Sequence, residues 1–360
     1  MTGINKKQFS RSNFIKNVCT VLFIGAAFTS CKNNEGPDVS GVKYDLEISR
    51  FEQDFFKIDT NNIAASFQSL GQKYPVFLND FNVNILGLPP AQNGDTAVFA
   101  AIKQFVRDYK PIKDSVDKTF GDISRIGQDV EKGMKHVLHY FPSYKAPKKL
   151  ITFVGPMDAY YEASLGGQGD VITTEGLAVG LQLHLGSNFS FYKSPMGQSL
   201  YPDYISKRFT PQSIPVNCIK NVIDDLYPDK SGSLTLVEQM VEKGKRMYLL
   251  DKFMPDTEDT LKIGYSKAQL AGCYDNEGLI WNFFVTNSFV YNNDPSIIKN
   301  YIGESPKTQE FGEGAPGNIG LFIGWRIVQA YMDKQENMNP DKLMETSPKT
   351  IFEESKYRPK

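Results

Sequence analysis

The chain has 360 residues, long enough to bury one large core or two coupled lobes without metal or disulfide staples. Hydrophobic residues make up 41%, charged residues 22% and aromatic residues 12%, an ordinary globular composition that excludes a disordered chain and a multi-span membrane protein. The 40 basic and 41 acidic side chains leave a formal charge of −1, and without a basic run this excludes an electrostatic nucleic-acid binder.

The charge is unevenly spread. Lys6, Lys7, Arg11 and Lys16 fall in the first 30 residues, which contain no acid, so the remainder is mildly acidic. The basic start runs into an apolar stretch from Val18 to Thr29, shorter than the ~20 residues a spanning helix needs, and residues 1–30 therefore read as a signal peptide. The stretch ends Phe28-Thr29-Ser30-Cys31, which resembles a bacterial lipobox, where the thiol is acylated and the chain is cut before it. Cys31 is thus the expected lipidation site, with palmitate-type acyl chains as the membrane partner, and residues 31–41 are its solvated tether. Lys32 rather than Asp follows the cysteine, so the expected address is the outer membrane; Lys32 does not decide the face, and the periplasmic face is favoured over the cell surface. Cys19 leaves with the leader, and the mature domain keeps only Cys218 and Cys273, either as one disulfide or as two buried thiols.

Beyond the tether, Val42, Tyr44, Leu46 and Ile48 alternate with polar residues, which predicts a first strand. Helices are predicted from Asn62 through Ile63, Phe67 and Leu70, then over 97–109 and 112–140, with Pro111 at a helix entry. Residues 42–145 accordingly read as a mainly helical lobe. Residues 146–360 read as an α+β lobe that opens with the β-rich run Lys149 to Val154. In the next strand Leu177, Val179, Leu181, Leu183 and Leu185 alternate with Ala178, Gly180, Gln182 and His184, so that one face is aliphatic and the other small or polar and open to a ligand or another strand. Helices follow over 214–226, 234–253, about 267–291 and 317–333. The class expected is α+β and predominantly helical.

Few side chains suit catalysis. The histidines are His136, His139 and His184. The first two, three apart on a helix, have metal-ligand spacing but read more simply as a pair near the helix C-terminus, where His suits the helix dipole. No Gly-x-Ser-x-Gly elbow or Walker loop is present, and Gly166-Gly167-Gln168-Gly169 reads as a hairpin connection. The carboxylates Asp224, Asp225, Glu238 and Glu242 sit on helix faces that solvated helices routinely show. Gly317, Gly320 and Gly324 recur at a spacing that lets another backbone approach, and Arg326 and Glu277 are candidates for a buried polar contact.

Several segments occur in a suggestive order: the lipobox at Cys31, Tyr201-Pro202-Asp203-Tyr204-Ile205, Gly244-Lys245, Lys262-Ile263-Gly264-Tyr265, and Asn276-Glu277 with Trp281. Ile323-Gly324-Trp325-Arg326 running to Met332 and the ending from Phe352 to Lys360 complete the set, which resembles the GldB-type gliding-motility lipoproteins over nearly the whole mature chain. The resemblance implies a cell-envelope component of gliding and its associated protein secretion, with a fold related to zincin metallopeptidases. In that fold 177–185 would be the substrate-pairing edge strand, 214–226 the active-site helix, and Glu242 would lie near a third ligand position. The 214–226 helix carries no histidine, so the His-Glu-x-x-His motif is absent. The expectation is therefore a non-catalytic lipoprotein without metal or cofactor, working through contacts with other envelope, gliding or secretion proteins. The alternatives are a metal-dependent, peptidase-like hydrolase, or a peptide-binding protein using an edge-strand groove faced by Gln182 and His184.

Overall fold

The computed structural model describes residues 36–89 and 96–360; the leader and Cys31 lie outside them. Four short strands form one sheet in the order β1-β2-β4-β3, with β1 Glu47–Arg50, β2 Lys149–Phe153, β3 Asp170–Ile172 and β4 Leu177–Gly180. β1 runs parallel to β2 and β2 parallel to β4, while β3 closes the sheet antiparallel to β4. The first strand is shorter than its alternation suggests, because Tyr44 leaves the strand pattern to donate its hydroxyl to the Pro147 carbonyl.

The 177–185 segment departs from the expectation in two ways. Its strand stops at Gly180, gives way to a 3-10 turn over Leu181–Leu183, and lies inside the sheet, so the edge is β3. At Gly180 a Cβ would fall 2.6 Å from the Gly169 carbonyl, so only a glycine admits the chain that leads into β3. The face taken as open is covered as well: Ala178 packs with Ile151 and Phe153 into a cluster of Phe51, Phe55, Phe77 and Phe81, whose rings meet at 4.8 to 5.0 Å. Leu150, Leu177 and Val179 point the other way into a larger core. A strand apolar on both faces belongs to a sheet covered on both sides.

Helices α1 Phe51–Phe55, α2 Ile63–Lys73 and α3 Thr96–Asp108 contribute to the aromatic cluster. α4 Lys110–Thr119 and α5 Ser124–Tyr140 replace the single helix expected over 112–140; the break comes at Gly121-Asp122, where the Asp122 carboxylate accepts from the Ser124 N–H at 2.8 Å. α5 packs Val130, Met134 and Val137 into the larger core beside α6, Ser213–Leu226. β1, from the 42–145 segment, pairs with β2 from the segment that follows, and residues 35–360 cluster as one compact unit.

The C-terminal part is helical: α7 Leu236–Phe253, α8 Asp259–Ile263, α9 Lys267–Asp275, α10 Glu277–Thr286, α11 Pro295–Ile302, α12 Ile319–Met332 and α13 Pro348–Ser355. α7 begins with a capping box in which Thr235 and Glu238 satisfy each other's backbone donors. α7 and α12 cross backbone to backbone, with Gly324 against the Met240 carbonyl and Gly244 against the Gly324 carbonyl, the close approach expected of the glycine spacing. Beside the crossing, Trp325 Nε1 donates to Asp251 at 2.7 Å and Lys262 Nζ donates to the same carboxylate at 2.6 Å. No helix among the described residues is long and apolar enough to cross a membrane.

Candidate functional site

The densest buried polar cluster lies where β3 faces α6. Asp170, the first residue of β3, is 1% exposed and accepts from His184 Nε2 at 2.9 Å, from Asn217 Nδ2 at 2.9 Å and from the Gly180 N–H at 3.2 Å. His184 Nδ1 is 3.2 Å from both the Thr210 carbonyl and the Ser213 hydroxyl, so each ring nitrogen has partners. One turn along α6, Asn221 Oδ1 accepts from Gln168 Nε2 at 2.8 Å. The other atoms of that amide pair, Gln168 Oε1 and Asn221 Nδ2, are buried without partners. Helical periodicity creates this face, since positions 217, 220, 221 and 224 fall within one stripe.

Asp170, His184 and Ser213 line up as carboxylate, imidazole and hydroxyl, the order found in acyl-transfer enzymes. The hydroxyl has main-chain acceptors nearer than the imidazole. Ser213 Oγ lies 2.6 Å from the Thr210 carbonyl and 2.8 Å from the Arg208 carbonyl, so its proton is directed to main-chain acceptors at the start of α6.

Gln182 is fully buried, accepts from the Gly155 N–H at 3.0 Å and bridges the turn after β2, so it supports the backbone and faces no groove. His184 does line a cavity, but from the wall of the Asp170 cluster rather than from a strand edge. Glu242 is held by Lys245 at 2.7 Å and Arg246 at 3.2 Å on its own helix. His136 is buried and His139 exposed, so the two imidazoles do not share a site. Burial, then Lys132, holds His136 below the usual histidine range. Cys218 and Cys273 are free, buried thiols. Asp224 accepts from the Ser164 N–H at 3.0 Å, and Asp225 from the Tyr144 hydroxyl at 2.8 Å. Arg326 and Glu277 do meet, at 3.0 Å, with the Tyr357 hydroxyl adding a bond of 2.7 Å to the same carboxylate.

A zincin-type centre would draw ligands from α6, so the donor set there can be tested against the metal. Zinc takes thiolate, imidazole or carboxylate ligands. Positions 217 and 221, spaced like the two histidines of His-Glu-x-x-His, hold neutral amides engaged with Asp170 and Gln168, and His184 is committed at both nitrogens. The residues present do not fit a zinc centre. Among the described residues no three His, Cys, Asp or Glu side chains gather as a metal would require.

Sequence reasoning missed Asp170, Ser213 and Lys220. Asp170 was concealed at the end of the glycine-rich segment, and Lys220 reads as part of the solvated face of α6 yet is only 8% exposed. The available signal was its neighbours: Ile219 and Val222, close on either side, are core residues, which leaves position 220 little room to face water.

Fold and site define a predominantly helical α+β protein whose mixed sheet meets α6 across a hydrogen-bonded polar seam. The chain belongs to the family described as gliding motility protein GldB, whose model matches residues 32–359. It is accordingly a lipoprotein related to gliding motility and associated with a membrane. No curated protein and no solved structure matches it.

Proposed function

We propose that the protein is an outer-membrane lipoprotein, held at the periplasmic face through acylated Cys31, that acts without catalysis by contacting other envelope proteins of the gliding or secretion machinery. One observation carries the non-catalytic reading: the seam between β3 and α6 spends its chemically capable groups on one another. A general base needs a lone pair facing substrate, and a nucleophile needs its proton directed at a base. His184 Nε2 is instead held by Asp170, and the Ser213 hydroxyl, 3.2 Å from His184 Nδ1, lies closer to the Thr210 and Arg208 carbonyls at 2.6 and 2.8 Å.

Crosslinking pull-down of the full-length chain from the native envelope tests the contact role, with Cys31→Ser as the unanchored comparison. The expected result is a defined set of envelope partners captured by wild type and lost with Cys31→Ser; an empty capture from both overturns it. A hydrolase is the second reading, favoured by the Asp170, His184, Ser213 alignment. A fluorophosphonate probe decides between the two: covalent labelling at Ser213 that disappears in His184→Ala establishes the hydrolase. Stoichiometric zinc in the purified protein, lost in His184→Ala or His136→Ala, would equally overturn the non-catalytic reading.

A further inference from the structure

Beside the polar seam lies a cavity of about 280 Å³ whose walls come from the glycine-rich 166–169 segment, the 207–213 turn, α6 and the segment joining α8 to α9. Its charge is one-sided. Lys207, Arg208 and Lys220 line it and, among the described residues, no carboxylate does, although the chain as a whole is nearly balanced.

The three cations differ in how they are satisfied. Arg208 is paired with Glu304 at 2.9 Å and donates to the Tyr160 hydroxyl at 3.3 Å. Lys207 Nζ donates, among the described residues, to the neutral Gln269 side chain, at 3.2 Å. Lys220, more than nine-tenths buried, has no hydrogen bond or ion pair among the described residues; Arg208, Glu304 and Asp224 act on it from a distance, with Lys207, His184 and Tyr265 on the same walls. Burial, followed by Arg208, brings its pKa down to about 8, and burial also lowers that of Lys207. A buried ammonium with no counter-charge in contact is costly unless something else supplies the charge.

We infer that this cavity is a binding site for a small phosphate-bearing anion, with Lys220 and Arg208 as its charge anchors and Lys207 at its rim. Glu304 offsets one cation and leaves two for the ligand, which suits a dianionic phosphate better than a single carboxylate. A cavity of about 280 Å³ takes a phosphate group and a small organic moiety, so the ligands tested are inorganic phosphate and a small soluble ester. The site is separate from the contact role proposed above, and neither requires the other.

The test uses the full-length protein in detergent micelles at low ionic strength, with inorganic phosphate, glycerol phosphate, sulfate and acetate as probes in calorimetric titration. Phosphate is expected to bind at least tenfold tighter than acetate, and Lys220→Met to weaken phosphate at least tenfold, while Lys220→Arg retains it. Tighter binding of glycerol phosphate than of phosphate assigns the ester; equal binding assigns the free ion. Sulfate, whose charge does not change, should bind wild type about tenfold more weakly at pH 10.5 than at pH 7.5, and Lys220→Arg should show a clearly smaller loss, set by Lys207, whose pKa burial also lowers. This arm needs no destabilised variant. Absence of phosphate binding, equal affinity of acetate, or sulfate affinity that does not change with pH in wild type overturns the site.

Discussion

Gly324→Ala and Gly272→Ala make the same chemical change in two helices, and the structure gives them opposite signs. In an open helix, alanine is favoured over glycine by about 1 kcal/mol, because it leaves the unfolded chain less freedom. Gly272, within α9, has no atom within 4 Å of its added Cβ, so its substitution should gain about 0.5–1 kcal/mol. At Gly324 the Cβ would lie 1.7 Å from the Met240 carbonyl oxygen and 2.4 Å from its carbon, and both belong to a helix backbone that cannot rotate aside. Normal contact there is roughly 3.2 Å, so α7 and α12 would have to part by more than 1 Å, and a gap of that size forfeits a quarter to a half of the dispersion contact of the side chains bordering it. Those side chains include Val241, Met247, Phe322, Ile323 and Ile327, all in the core. Overpacking of this kind costs about 3 kcal/mol or more, which outweighs the helix gain and leaves a net loss of about 2–3 kcal/mol. Urea unfolding of the two variants beside wild type measures both values. A Gly324→Ala protein within about 0.5 kcal/mol of wild type would refute the backbone-to-backbone crossing.

Lys220→Met should stabilise the ligand-free protein at neutral pH. A lysine held near pH 8 rather than 10.5 costs the folded state about 3 kcal/mol while it is charged; that cost is full below pH 8 and lifts as pH rises toward 10.5. Wild type should therefore gain more stability across that window than Lys220→Met, in which the other buried lysines, Lys207, Lys243 and Lys245, still titrate, as denaturant titrations at pH 7 and 10 would show. Tyr357→Phe removes one bond to the buried Glu277 carboxylate and should cost about 1.5 kcal/mol; Glu277→Ala, which also strands Arg326, should cost about 2–3 kcal/mol, both read by urea unfolding. His136 is buried with its pKa lowered, so protonating it opposes folding and stability is lost as pH falls through and below the usual histidine value. His136→Gln should narrow the melting-temperature difference between pH 7.5 and 5.5; an unchanged difference refutes the assignment.

Local patterns that act through near neighbours were legible. The helical stripe of Ile214, Cys218, Ile219, Val222 and Ile223 produced α6, and the glycine spacing produced the α7 and α12 crossing. Strand order was not legible, because β4 reads as an edge or a centre according to whether β3 folds back on it, and that return depends on Gly169 and Gly180 meeting, a contact between residues that share no periodic pattern. The separation of Gln182 from His184 was not legible for a related reason. Gln182 and His184 do fall on one side of an alternating run, but the run breaks into a 3-10 turn at Leu181, so the two side chains go to different places: one beneath the Gly155 turn, the other to Asp170.

What distinguishes the face of α6 is how unequally its residues are satisfied. Asn217, Asn221 and Asp224 each have a hydrogen-bond partner on the chain opposite, and together they close the seam. Lys220 lies among them on the same stripe and has none among the described residues. Replacing it with a long apolar side chain would remove a cost of about 3 kcal/mol, a large share of the ~5–15 kcal/mol by which domains are stable. Sites that bind or react are where such costs are retained, because a group already satisfied by the fold has nothing left to offer a ligand. By that reasoning the hydrogen-bonded part of the seam and the candidate anion cavity are two outcomes of one helix face, decided residue by residue by whether a partner lies opposite. If Lys220→Met proves no more stable than wild type at pH 7 without added anion, the lysine is satisfied within the fold and the argument for a ligand loses its physical basis.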